Sequence, residues 1–141
     1  YALPEVDAAE RLAADRVMRT VGSTFWVDEE KRMDAVTAVS GSGPAYVFLF
    51  IEALQDAARE LGFTPEQAAQ MAIETTLGAA RLAAQSDVPA STLRERVTSK
   101  GGTTEAALKA MTDLGVKAAL AAGVRAADAR GRELGDLLGG E

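Results

Sequence analysis

A mainly helical protein is what this sequence predicts, and three observations carry the prediction. The apolar fraction of 48% rests on 29 alanines against seven aromatic side chains, a composition that favours close-packed helices over a sheet of β-branched residues. Helical periodicity runs from Met33 to near the end of the chain. Two glycine-punctuated segments, residues 40–46 and 99–104, each lead straight into a helix.

Taken in order, residues 7–21 read as a short amphipathic helix. Ala9, Leu12, Ala13, Val17 and Val21 lie near one face, Pro4 precedes it and Gly22 closes it. Thr24-Phe25-Trp26-Val27 has strand composition and is bounded by Asp28-Glu29-Glu30-Lys31. One strand cannot build a sheet, so residues 1–30 read as the last helix-and-strand unit of something larger. Tyr1 in first place points the same way, to a fragment or a processed product.

Residues 44–61 form the next helix, ended by Gly62. Its first half, Tyr46-Val47-Phe48-Leu49-Phe50-Ile51, is apolar on every face, which predicts burial all round and hence a second subunit over one side. Thr64-Pro65-Glu66-Gln67 supplies a cap, a proline in the first turn and a capping-box glutamine for a helix reaching Gln85. Ala69, Ala72, Ile73, Thr76, Leu77, Ala80 and Ala84 give that helix a narrow face for close approach. A short helix over 89–97, one over 103–112 and a last one from Gly115 to about Leu134 complete the pattern. Gly123 and Gly131 inside the last helix mark places where another backbone comes close, and Gly139-Gly140-Glu141 is expected to be disordered.

The net charge is −6, with Lys and Arg scattered. No basic stripe tracks a phosphate backbone, so nucleic acid is not an expected partner. The absence of Cys removes disulfides and thiolate chemistry and suits a cytoplasmic protein, and the absence of His removes the commonest general base and metal ligand. No metal constellation can be assembled. No apolar run reaches the roughly eighteen residues of a bilayer span, and no signal pattern opens the chain, so a soluble protein without a membrane partner is expected. The carboxylates of Asp28-Glu29-Glu30 and of Glu133 with Asp136 read as solvated charge.

Catalysis would therefore fall to hydroxyls, carboxylates, Lys, Tyr, backbone dipoles or a cofactor from elsewhere. Ser40-Gly41-Ser42-Gly43-Pro44 places Ser42 or Gly43 at a helix N-cap and Pro44 in its first turn; two glycines and two serines leave room for a ligand against main chain. In Thr98-Ser99-Lys100-Gly101-Gly102-Thr103-Thr104-Glu105, the plain reading is a hinge with a Thr cap. The functional reading is an anion nest, with the N–H groups of Gly102 and Thr103 facing a carboxylate. A Walker phosphate loop is excluded by its spacing, since Lys100 precedes the glycines.

Residues 34–46 and 97–104 together resemble the two signature stretches of the pyrroline-5-carboxylate reductase family, and the likeness extends over essentially the whole chain. The resemblance implies a C-terminal helical dimerisation domain over 31–141 that interlocks with its twin, sometimes assembled further into rings. Residues 1–30 would be the trailing edge of a Rossmann domain that is otherwise missing, since no G-x-G-x-x-G follows a strand here. It also implies an NADPH- or NADH-dependent reduction of 1-pyrroline-5-carboxylate to L-proline, with this part inactive alone. By the same resemblance Ser99, Gly101, Gly102, Thr103 and Thr104 hold the substrate, Thr104 bonds the ring nitrogen, and Ser42, Gly43 and Pro44 flank the nicotinamide. Many family members carry proline where this chain has Lys100, a difference expected to loosen the loop while adding a cation near a carboxylate. The residues alone leave open a non-enzymatic helical oligomerisation module, or the helical domain of another two-domain dehydrogenase.

Overall fold

The computed structural model describes residues 1–139 and is helical throughout, with no strand among the described residues. The helices are α1 (Ala8–Met18), α2 (Arg32–Val36), α3 (Gly43–Glu60), α4 (Pro65–Ala84), α5 (Ala90–Arg96), α6 (Thr103–Asp113) and α7 (Val116–Leu138). The chain divides into two compact units, residues 1–42 with 124–141, and residues 43–123.

In the first unit, α1 opens on a capping box. The Asp7 carboxylate accepts from the N–H groups of Ala9 and Glu10 at 2.8 and 2.9 Å, and the Glu10 carboxylate accepts from the Asp7 N–H at 3.0 Å. The strand expected at Thr24-Phe25-Trp26-Val27 does not form. Its β-propensity has no neighbouring strand to pair with, and the segment is held to α1 by side chains instead. The Thr24 hydroxyl donates to Asp15 at 2.6 Å, Arg19 pairs with the other Asp15 oxygen, and the Arg11 guanidinium lies 5.7 Å from the Trp26 ring centre. The Arg19 guanidinium, and after it the Thr24 hydroxyl, hold the Asp15 carboxyl below its ordinary range.

That depression has a sign. A carboxyl whose pKa falls on folding stabilises the fold above its unfolded pKa, and the contribution is lost as pH drops through the folded value. Acidification below about pH 4 should therefore loosen residues 24–26 from α1, and Asp15→Asn should remove that part of the pH dependence. Fluorescence of Trp26, the single tryptophan, reads both.

The Ser40–Pro44 motif differs from its sequence reading. Thr37–Gly41 is a π-helical turn, closed by the Ser42 N–H donating to the Thr37 carbonyl at 2.8 Å, and Ser42 itself is helical at φ −83°, ψ −18°. It is neither an open turn nor an extended cap, and Pro44 is the second residue of α3. The physical reason lies in Pro44, whose ring would collide with the carbonyl four residues back in a regular α-helix. Widening the helix by one residue relieves that clash and lets the helical path continue.

The result is a helical run from Arg32 to Glu60, 29 residues long, within which an 18-residue window has mean hydropathy 1.2. It is long and apolar enough by length and composition to cross a membrane, so the expectation that no such stretch exists does not hold. Reading residues 40–44 as a break concealed it.

In the second unit α3 packs on α4. The partly buried α3 positions are Gly43, Tyr46, Ile51, Leu54, Gln55 and Ala58, and those from Ile51 onward recur at helical spacing. On α4 the buried residues are Ala68 and Ala72, at 0% and 3% exposure. Ala72 belongs to the expected face; Ala68 does not, and Ile73 and Leu77 lie exposed. Ala68 and Ala72 stand about one turn apart, and the bulkier Ile73 and Leu77 lie on the exposed side. The connection is a C-cap with the Phe63 N–H on the Ala58 carbonyl at 3.2 Å and Gly62 at φ +95°. The box at Thr64 and Gln67 forms as its spacing predicts, at 3.3 and 3.0 Å.

α7 extends past the expected Leu134. At Gly131 an added Cβ would sit 3.1 Å from an Asp34 carboxylate oxygen, so a side chain, rather than a backbone, makes the close approach, and Gly123 has nothing within 4 Å. The Gly139 N–H donates to the Gly135 carbonyl at 2.8 Å, while the expectation for Gly140 and Glu141 lies outside the described residues. The surface carboxylates behave as solvated charge, Glu29 pairing with Lys31 at 2.6 Å and Glu133 with Arg130 at 2.8 Å.

Candidate functional site

Five of the sequence-predicted residues stand together where α5 gives way to α6. Ser99, Lys100, Gly101 and Gly102 make a tight turn, closed by the Gly102 N–H donating to the Ser99 carbonyl at 3.0 Å. Its third residue, Gly101, has φ +74°, the conformation a type II turn requires and a side chain resists. Gly102 is constrained differently: a Cβ there would meet the Ser99 carbonyl oxygen at 3.0 Å. Each glycine is thus demanded by the backbone, one by its dihedral and the other by crowding.

Gly102 is the N-cap of α6, with φ −86° and ψ 173°, and no side chain caps the helix. A Thr cap is therefore not what starts this helix. Thr103 and Thr104 occupy its first two positions, with their side chains exposed. The first carbonyl of the helical ladder is that of Gly102, taken by the Ala106 N–H at 3.2 Å. The amides of Thr103, Thr104 and Glu105 precede that ladder at the positive end of an 11-residue helix.

This corrects the sequence reading in one particular. Gly102 was expected to offer its N–H to an anion, but that N–H closes the turn; Thr103 remains a donor, joined by Thr104. Glu105 had no assigned role, and its carboxylate accepts from the Gly101 N–H at 2.7 Å. The signal for it was present in the capping-box spacing, an acid three residues after the N-cap. It reaches one residue further back than the box does.

Lys100 sits second in the turn, where a type II turn favours proline. Lys100→Pro is expected to stabilise the protein by about 0.4–1 kcal/mol through the unfolded state, a shift that urea denaturation would read.

Ser42, Gly43 and Pro44 stand at a separate junction, where the π-turn meets α3. The Ser42 N–H is committed to Thr37. Gly43 is open, since a Cβ there would meet nothing within 4 Å.

Residues 30–134 match the family model for pyrroline-5-carboxylate reductase dimerisation. The chain is 49% identical over 110 residues to a pyrroline-5-carboxylate reductase of Pseudomonas aeruginosa, covering 78% of this chain and 40% of that protein. Among solved structures it is similar to a pyrroline-5-carboxylate reductase of Coxiella burnetii, with TM-score 0.90 and 42% identity over 94% of this chain and 49% of that one. It is also similar to the Plasmodium falciparum pyrroline carboxylate reductase solved with NADP bound, with TM-score 0.84 and 30% identity over 96% of this chain and 51% of that one. The chain thus spans about 40% of the length of the curated relative and about half of the solved structures.

Proposed function

The chain belongs to the pyrroline-5-carboxylate reductase dimerisation family, and we propose that it is the helical, substrate-holding part of a cytoplasmic homodimeric reductase. That enzyme reduces 1-pyrroline-5-carboxylate to L-proline with NADPH or NADH. The observation that carries the reading is the junction at residues 99–104. A small anion is matched by the amides of Thr103 and Thr104 at a helix N-terminus, and a hydroxyl at Thr104 stands beside them to meet the nitrogen of a cyclic imine.

When bound, the reduced nicotinamide supplies the hydride. The chain's own residues orient the acceptor, through carboxylate capture on the amides and through a hydrogen bond from Thr104 to the nitrogen that becomes the amine. The open space at Gly43, next to Pro44, is compatible with a nicotinamide ring and is the position we assign to it, with Ser42 at its edge. Residues 1–30 are, in this reading, the trailing edge of the enzyme's dinucleotide-binding domain.

The homodimer is supported by the surface of α3. Phe48 and Leu49 are 67% and 66% exposed, and covering each such side chain contributes roughly 1.5–3 kcal/mol. The match to a dimerisation family favours a second copy, rather than a bilayer, as what covers them. The test of the function is turnover. The complete protein, given 1-pyrroline-5-carboxylate and NADPH or NADH, is expected to oxidise the cofactor with stoichiometric formation of L-proline. Reduction of open-chain 2-oxo acids in its place would favour another two-domain dehydrogenase.

A further inference from the structure

We infer that Glu105 is a positioning residue, one that fastens the turn at residues 99–102 to α6 and so sets the amides of Thr103 and Thr104 for a carboxylate; the inference rests on the reductase reading above. The turn needs a fastener. Two adjacent glycines carry more backbone freedom than any other pair, and Lys100 leaves the second turn position without the fixed φ of a proline. One hydrogen bond closes the turn upon itself, from Gly102 to Ser99. The 2.7 Å bond from the Gly101 N–H to the Glu105 carboxylate ties the turn to the helix.

Because Glu105 takes the Gly101 amide, it leaves the amides ahead of the α6 ladder open. Its negative charge near an anion seat is itself unfavourable to a carboxylate ligand. Charge and geometry therefore predict opposite signs when the side chain is removed. Were Glu105 only a charge, truncation would tighten substrate binding. As a fastener, its truncation loosens the turn and weakens binding.

The experiment uses the complete enzyme and steady-state kinetics with 1-pyrroline-5-carboxylate. Glu105→Ala is expected to raise KM for this substrate about three- to tenfold, the range spanned by losing one charge-assisted hydrogen bond, with KM for the nicotinamide cofactor unmoved. Glu105→Gln, which keeps an acceptor and drops the charge, recovers most of that loss, and Lys100→Pro on the Glu105→Ala background recovers part of it by stiffening the same turn. A substrate KM that is unchanged or lowered in Glu105→Ala, or equal changes in the alanine and glutamine variants, overturns the inference. Should the parent enzyme fail to turn over the imine, the functional reading falls and amide exchange decides this one. Faster exchange at Gly101 in Glu105→Ala, restored in Glu105→Gln, upholds the fastening; unaltered exchange refutes it.

Discussion

Replacing Thr104 with alanine in the complete reductase is expected to lower kcat by roughly ten- to a hundredfold, at or below the usual contribution of a positioned proton donor. Thr104 occupies the second position of α6, and no side chain is needed to cap that helix. Its exposed hydroxyl can be removed at little cost to the fold, since surface substitutions away from special features stay within about 0.5 kcal/mol. Alanine keeps the backbone N–H. Capture of the carboxylate, and with it KM, should then change far less than turnover, which separates the amide from the hydroxyl. Steady-state kinetics of Thr104→Ala and Thr104→Ser make the comparison, with serine retaining most of the activity. Unchanged kcat in Thr104→Ala would take Thr104 out of the mechanism.

Phe48→Glu is expected to dissociate the proposed dimer, weakening association on the order of a thousandfold, about 4 kcal/mol. The two contributions act in one direction: a large apolar surface is lost from the contact, and a charge without a partner is forced into it. Phe48 is a suitable site because it is 67% exposed in the chain, whereas Ile51, Leu54 and Ala58 are partly buried. Folding of the α3–α4 pair should survive. Sedimentation velocity at micromolar concentration should show a dimer for the parent protein and a monomer with unchanged helical content for the variant. A compact parent monomer, or a variant dimer as tight as the parent, would remove α3 from the interface.

Most helix limits were legible in the residues because the signals that set them are local. The capping box at Thr64 and Gln67, the C-terminal glycines Gly62 and Gly115 at φ +95° and +72°, and the twin glycines before α6 depend on atoms within a few residues of one another. Gly101 and Gly102 could be assigned to a turn at a helix start for that reason. What each glycine does there was not legible: one takes a left-handed φ and the other makes room for a carbonyl.

The misread elements share a cause. Phe25, Trp26 and Val27 have the composition of a strand, but a strand exists only by pairing, and the segment instead meets Asp15 and Arg11 on α1. Residues 40–44 have the composition of a turn, yet a π-turn absorbs the Pro44 clash and the helical path continues through them. The α4 contact face passes through Ala68 rather than Ile73 and Leu77, because small side chains let α3 come close.

By itself the sequence determined the helical class, the order of the helices and the place of the two glycine junctions, since capping and 3.6-residue periodicity are short-range properties of the chain. Only the tertiary structure decided which amides at residues 101–105 are committed, which α4 face is buried and whether 24–27 forms a strand. Those outcomes turn on which acceptor or surface reaches a group in space, and linear spacing does not encode that distance.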